Sequence, residues 1–391
     1  MNILFVLKTL EIGGVEVVSS VLANKFSFED HNVSVFAFEK GVGKIVETFD
    51  SSIKIIIGKG YCKSFDNISI LHQVIKDNHI DIIINQWGLP LVPIKSINRA
   101  RIGSNSKVIS VFHNDPLQNG RLQGVETEIA RSNNFARKGL LKFKKFIFRL
   151  ITGYAMRFNY QHSDVFEVLS PSFVSHFQNF IWLKNTPKLV VQTNPITIDI
   201  NGFEYSSASK RKEIIYVGRL DYTQKRVCRV IETWTLLGGN FPDWRLTIVG
   251  DGEERKNLEH MVKDWGLNHV SFEGFQAPRP YYERASVLIL TSEFEGFPLV
   301  LAECMSFGVV PVVYGSYSAV YDIIEDDKDG VIVPKGNEGF NAVVMAERIK
   351  SLMANHEKLN DMALNAIEKS KNYSIDKIYE QWMRVLQNIN I

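Results

Sequence analysis

The chain has 391 residues, 45% hydrophobic and 23% charged, with a formal net charge of +2. That length suits two or three domains, each able to bury its own core, and so small a charge gives no ground for a nucleic-acid partner. Cys62, Cys228 and Cys304 are odd in number and far apart, which fits a reducing cytoplasm better than a disulfide framework or a metal site. The opening M-N-I-L-F-V-L reads as a first strand, without the basic n-region and cleavage site of a signal peptide. No apolar run approaches the roughly 18–20 residues that span a bilayer. The expectation is a cytoplasmic protein, either soluble or peripheral on the inner face of the plasma membrane.

Short apolar, β-branched runs alternate with helical patterns through the first half. Ile3–Leu7 precedes a helix at Val15–Lys25, then come Val33–Ala37 and Lys54–Ile57. A helix at Ile68–Asn78 leads to Asp81–Ile84, followed by Lys107–Phe112 and Val165–Leu169. Strands this uniformly apolar are buried on both faces, and their alternation with helices implies a parallel, doubly wound sheet.

Two segments of this half carry chemistry. Glu11-Ile-Gly-Gly-Val15 lies between the first strand and its helix, where glycines let backbone approach a ligand and a helix N-terminus favours an anion. Its spacing is not that of a dinucleotide fingerprint. Val111-Phe-His-Asn-Asp115 puts His113 at the carboxyl end of a strand, a location that suits catalysis, although a lone histidine is commonly structural.

Residues 137–157 hold seven basic residues and no acidic ones. Leu140, Leu141, Phe143, Phe146, Ile147, Leu150 and Ile151 recur there at helical spacing. The pattern fits an interfacial helix on anionic lipid or a core helix with a basic outer face; nucleic acid is a third reading, but no base-reading module accompanies the patch.

At residues 195–212 the pattern lapses into a polar, turn-rich linker. A second series of strands follows: Glu213–Val217, Arg245–Val249, Val270–Phe272, Val287–Leu290, Val309–Val313 and Gly330–Val333. Helices are expected at Arg226–Leu237, Glu253–Trp265, Pro280–Arg284 and Leu299–Phe307. The organisation is therefore α/β, with two Rossmann-like doubly wound domains facing a central cleft, spanning 1–197 and 198–374.

After the first strand of this half, Gly218 permits a tight turn, and Arg219 and Lys225 flank a polar loop. Arginine offers a planar fork and lysine a point charge, a pair suited to a diphosphate, although a solvated basic loop reads the same way. Gly250-Asp-Gly-Glu-Glu-Arg255 reads as a structural turn opening a helix. Gly274 and Phe275 follow another strand, where backbone groups could meet a nucleobase edge.

The most informative segment is Ser292–Val313, S-E-F-E-G-F-P-L-V-L-A-E-C-M-S-F-G-V-V-P-V-V. A buried strand, a Gly-Phe-Pro turn and a helix starting near Pro298 make an anion site, because free N–H groups point at the ligand. Glu295 beside such a site is costly unless it binds something other than phosphate, and sugar hydroxyls are the candidate. Glu303, roughly two turns along, could reach a second hydroxyl-bearing group.

With these residues together, the chain resembles a glycosyltransferase of the GT-B fold, in the large retaining family 4 (glycosyl transferases group 1), of the type that builds O-antigen, capsule and other polysaccharides. E-G-F-P-L-V-L-A-E matches that family's glutamate pair. V-G-R-L…Q-K-R, the G-x-G-x-x-R turn and V-x-F-x-G-F match in order, and the Gly-Gly loop and F-H-N-D match the first-domain side.

The resemblance implies that Arg219 and Lys225 neutralise the diphosphate of a nucleotide-sugar donor, expected to be a UDP-sugar. Glu303 would bind the ribose, and Glu295 with backbone amides near Phe297, Pro298, Leu299 and Val300 would hold the transferred sugar and phosphates. Gly14 would approach the diphosphate or sugar from across the cleft, and His113 would touch the sugar near the reacting centre. The anomeric configuration would be retained by front-face attack, without metal or other cofactor. The C-terminal segment 375–391 would return to the first domain as a last helix, near Ile375–Leu386, with Tyr379, Trp382 and Leu386 as its packing face. The acceptor would be a glycan, free or carried on a polyprenyl diphosphate, which gives the basic helix at 137–157 an anionic membrane to lie on. Rival classes are a nucleotide-sugar epimerase, which needs no acceptor, and a non-catalytic sugar-nucleotide-binding partner; a phosphorylase lacks a marked lysine for pyridoxal phosphate.

Overall fold

A computed structural model describes residues 1–117 and 120–389. The chain forms two compact units, Met1–Thr197 with Ile375–Ile391, and Ile198–Ser374. Each is built on one all-parallel sheet.

The first unit holds β1 (Asn2–Thr9), β2 (Asn32–Glu39), β3 (Lys54–Ile57), β4 (Ile82–Asn85), β5 (Lys107–Phe112), β6 (Val165–Val168) and β7 (Leu189–Val191). They lie in the order β3-β2-β1-β4-β5-β6-β7. Ile3 to Leu7 of β1 have no exposed surface, as a central strand covered by helices on both faces requires. The last helix, Ile375–Asn388, packs on helix Gly14–Phe28 of the same unit. Ile378, Trp382, Val385 and Leu386 are its buried residues. Trp382 meets Phe26 edge-on at 6.1 Å, and Tyr379 Oη is 3.0 Å from His31 Nε2. The final residues of the expected segment, 390 and 391, lie outside the described residues.

The second unit holds β8 (Glu213–Val217), β9 (Arg245–Val249), β10 (Val270–Gly274), β11 (Val287–Leu290), β12 (Val310–Gly315) and β13 (Val331–Pro334), in the order β10-β9-β8-β11-β12-β13. Every residue of β11 and β12 is buried. Helix starts differ in detail from the expected bounds. The helix after β8 runs Cys228–Thr235, because Arg226 takes a φ of +51° and cannot sit in a right-handed turn. The helix after β11 starts at Leu299 as expected, with Pro298 as its extended cap and not as its first helical residue. Among the described residues no helix is long and apolar enough to cross a membrane.

Candidate active site

In the second unit, successive connections leave β8 and β11 in opposite directions across the sheet. The loops at the carboxyl ends of those two strands therefore splay apart and leave the crevice where open α/β sheets bind ligands. One loop carries Gly218 to Arg226, the other Thr291 to Pro298, so both segments singled out in the sequence meet at this one place.

The two loops are joined by an ion pair. Lys225 Nζ donates to Glu295 Oε1 at 2.5 Å, and Gln224 Nε2 donates to the other carboxylate oxygen at 3.0 Å. Only 16% of the Lys225 side chain and 7% of that of Glu295 are exposed. Gln224 Nε2 also reaches the Phe294 carbonyl, and Glu293 N donates to the Gln224 carbonyl at 2.7 Å. Buried Asp221 shapes the loop from beneath, accepting the Gln224 N–H at 2.7 Å on one oxygen and Arg219 Nε at 3.0 Å on the other. Two-thirds of the Arg219 side chain stays exposed, a guanidinium anchored at one nitrogen.

Gly250 and Gly252 explain the G-D-G turn. A Cβ on Gly250 would stand 1.9 Å from the Gly218 carbonyl oxygen, and one on Gly252 would stand 2.3 Å from that of Leu220. Both residues also have φ above +140°, which side chains resist. Leu220 N donates to the Asp251 carbonyl and Glu254 N to that of Leu220. The turn is a buttress for the Arg219 loop and is structural.

Helix Leu299–Ser306 follows the β11 loop and has no side-chain cap at its N-terminus, while Leu301 N donates to the Pro298 carbonyl at 3.0 Å. Glu303 is 5% exposed and accepts from Tyr282 Oη at 3.4 Å. Burial, reinforced by the Glu303 charge, holds the Tyr282 phenol well above its usual pKa, so it stays a donor. Phe297 is buried edge-on against Tyr373 at 5.4 Å and offers only its backbone. Gly274 ends β10, and Phe275 beyond it is 71% exposed.

In the first unit, Gly13 caps helix Gly14–Phe28 without a side-chain cap. Glu16 folds back on this loop: a Cβ on Gly13 would stand 2.6 Å from its Oε2. Burial pushes the Glu16 pKa from 4.5 up to about 7. His113, past β5, lies 2.7 Å from Gln86 Oε1 through Nε2, and the surrounding protein pushes its pKa down to about 4. It is therefore neutral near pH 7, with the proton on Nε2 toward the accepting oxygen.

The basic segment lies in a 28-residue helix, Phe135–His162. Its second half is packed in the unit, with Met156, Asn159 and Tyr160 buried. Towards its N-terminal end and middle, Leu140, Phe143, Phe146 and Ile151 are more than half exposed. Of the apolar face read from the sequence, Leu141 is buried and Ile147 half-buried. Lys144 pairs with Glu128 at 3.5 Å and Lys145 with Glu126, so the nearby helix Gly120–Arg131 offsets part of the positive charge.

Sequence reasoning had no role for Asp221, Gln224, Tyr282, Gln86 or Glu16. Glu16 had a readable signal, an acid in the first turn after Gly-Gly; the others act through contacts between distant segments.

Two Rossmann-like units, one with a basic and carboxylate-lined switch point, define a protein of the GT-B class. HepE of Anabaena, solved with UDP, superposes with a TM-score of 0.73 at 17% identity, covering 99% of this chain and 100% of that one, and the likeness is one of fold. Residues 198–369 match the family model described as glycosyl transferases group 1. A Campylobacter jejuni enzyme, GalNAc-alpha-(1->4)-GalNAc-alpha-(1->3)-diNAcBac-PP-undecaprenol alpha-1,4-N-acetyl-D-galactosaminyltransferase, is 25% identical over 400 aligned residues, covering 100% of this chain and 99% of the relative. The lipopolysaccharide 1,6-galactosyltransferase of Escherichia coli is 27% identical over 46% of this chain and 51% of its own length. Over its second unit the chain matches the glycosyl transferases group 1, and along its full length it is similar to a glycosyltransferase.

Proposed function

We propose that this glycosyltransferase moves a hexosyl unit from a UDP-sugar to a glycan acceptor carried on a polyprenyl diphosphate, with retention of anomeric configuration, in the synthesis of a surface polysaccharide. The observation that carries the proposal is the Lys225–Glu295 pair beside an exposed Arg219 at the switch point of the second unit. Arg219, Lys225 and the uncapped helix at Leu299 supply positive charge for the leaving diphosphate, which gains charge as the glycosidic bond breaks. Because those groups carry that charge, the transfer is assigned no metal. Glu295 and Glu303 accept hydroxyls, from the transferred sugar and the ribose respectively, and Gly218, Gly274 and Phe275 border the nucleotide. Gly14 and His113 contribute from the first unit to the phosphates and the sugar.

No carboxylate is assigned as a nucleophile; attack comes from the face the leaving group departs, with donor phosphate taking the acceptor proton. HepE binds UDP, and the Campylobacter relative acts on an undecaprenyl-diphosphate glycan, which favours this donor and acceptor. The exposed apolar half of Phe135–His162 suits shallow docking on the anionic inner face of the membrane.

The test is donor consumption with and without a lipid-linked acceptor. Transfer only when acceptor is present supports the proposal. Free epimerised sugar would indicate an epimerase, and binding without turnover a silent partner subunit.

A further inference from the structure

Two buried, unpartnered polar side chains of the first unit border one small cavity. Glu167, inside β6, has no exposed surface, and neither of its carboxyl oxygens has a hydrogen-bond partner among the described residues. Gln86, just past β4, is 1% exposed, and its Nε2 is equally unpartnered. Asn85 pairs with Ser110 and Glu167 with Val111 in register. Gln86 thus falls level with Val111, and Gln86, Val111 and Glu167 stand side by side on one sheet face.

The cavity beside them is about 10 Å³ and is lined by Gln86, His113, Glu167, Gln192 and Asn194, with Trp382 among its other walls. That is room for about one water. Buried polar groups are normally satisfied, so two orphans on one wet-sized cavity identify its occupant. An unpaired carboxylate there would be prohibitive, and burial pushes the Glu167 pKa well above the carboxylate range. Glu167 is a neutral acid with an O–H to donate.

We infer that Glu167 and Gln86 share one internal water, and that this water, by accepting from both, keeps the Gln86 amide nitrogen toward the cavity and its Oε1 toward His113. His113 then holds its proton on Nε2 and presents Nδ1 as an acceptor. Glu167 is a positioning residue that acts through Gln86. The inference rests on the proposed role of His113 at the sugar, since turnover responds to the tautomer only if His113 touches the substrate.

The test combines ¹⁵N imidazole NMR with steady-state kinetics on the full chain. The unaltered protein should show His113 as a single Nε2–H tautomer at neutral pH. Glu167→Leu removes the donor to the water and frees the amide to turn. His113 should then show mixed tautomers, and kcat should fall about tenfold with donor KM changed by less than about twofold. Glu167→Gln keeps a neutral donor and should restore both. If Glu167→Leu leaves the His113 spectrum unchanged, the positioning role is overturned; equal damage by Glu167→Gln overturns it too. A shifted tautomer with unchanged kcat would uphold the network and overturn only the role given to His113. Gln86→Met carries the same expectation should Glu167→Leu not fold.

Discussion

Replacing Lys225 with alanine removes one member of a nearly buried pair whose charged atoms are 2.5 Å apart. Stripping one partner from such a pair costs about 3–5 kcal/mol, mostly because the other charge is left without compensation. Gln224 still donates to Glu295, so the lower end, about 3 kcal/mol, applies. For a domain of this size each kcal/mol lowers Tm by about 2–4 °C, giving a drop of roughly 6–12 °C by thermal unfolding. The catalytic loss is separate. Removing a preorganised positive group from a developing anion costs about 10²–10³ in kcat, read as nucleotide release at saturating donor. Lys225→Ala combined with Glu295→Gln removes the orphaned charge, so most of the stability returns while turnover stays low. Near-normal turnover of Lys225→Ala would refute the assignment, as would recovery of activity in the double variant, since the single variant's defect would then be one of folding.

Further outcomes follow from other contacts. Gly250→Ala, with a Cβ that would stand 1.9 Å from a carbonyl oxygen, should destabilise by about 3 kcal/mol or more, read by urea unfolding. Glu16 keeps its proton in the folded state up to about pH 7 against 4.5 when unfolded. The folded state thus binds the extra proton between those values, and stability declines as pH rises through that window, by at most about 3 kcal/mol. Glu16→Gln should flatten the decline when urea midpoints are compared at pH 5 and 8. Changing Lys142, Lys144, Lys145 and Arg149 together to glutamate should abolish binding to anionic liposomes, and retained binding would remove the membrane role. Phe143→Ser with Phe146→Ser should weaken that binding by about tenfold or more, because both rings are exposed and free to enter lipid.

The sheets were legible because their strands are buried on both faces, and β1, β8 and β11 appear as unbroken apolar runs. The site was legible where a motif sits on a single loop: Arg219, Lys225, Glu295 and Glu303 all fall on the switch-point loops or the helix that follows. Contacts between loops were not. Lys225 and Glu295 are seventy positions apart, and nothing local says that the lysine read as a phosphate ligand rests on the glutamate read as a sugar ligand. The three-residue β7 is too short for a periodic signal. Helix Phe173–Ile181 was legible in principle and was not drawn from the sequence: Phe173, Phe177, Phe180 and Ile181, all buried, stand at i, i+4, i+7 and i+8, a single apolar stripe. Glu167 lies in V-F-E-V, where an acid breaks the apolar run. Only the small cavity beside it shows why it is there.

The central claim is transfer of a sugar from a UDP donor with retention. It is tested most directly by incubating the full chain with α-linked UDP-hexoses and a polyprenyl-diphosphate glycan, then reading the anomeric proton coupling of the new linkage by NMR. An α-linked product, formed only when acceptor is present and lost in Lys225→Ala, is the expected result. A β-linked product, or consumption of UDP-sugar without any new glycosidic bond, would contradict it.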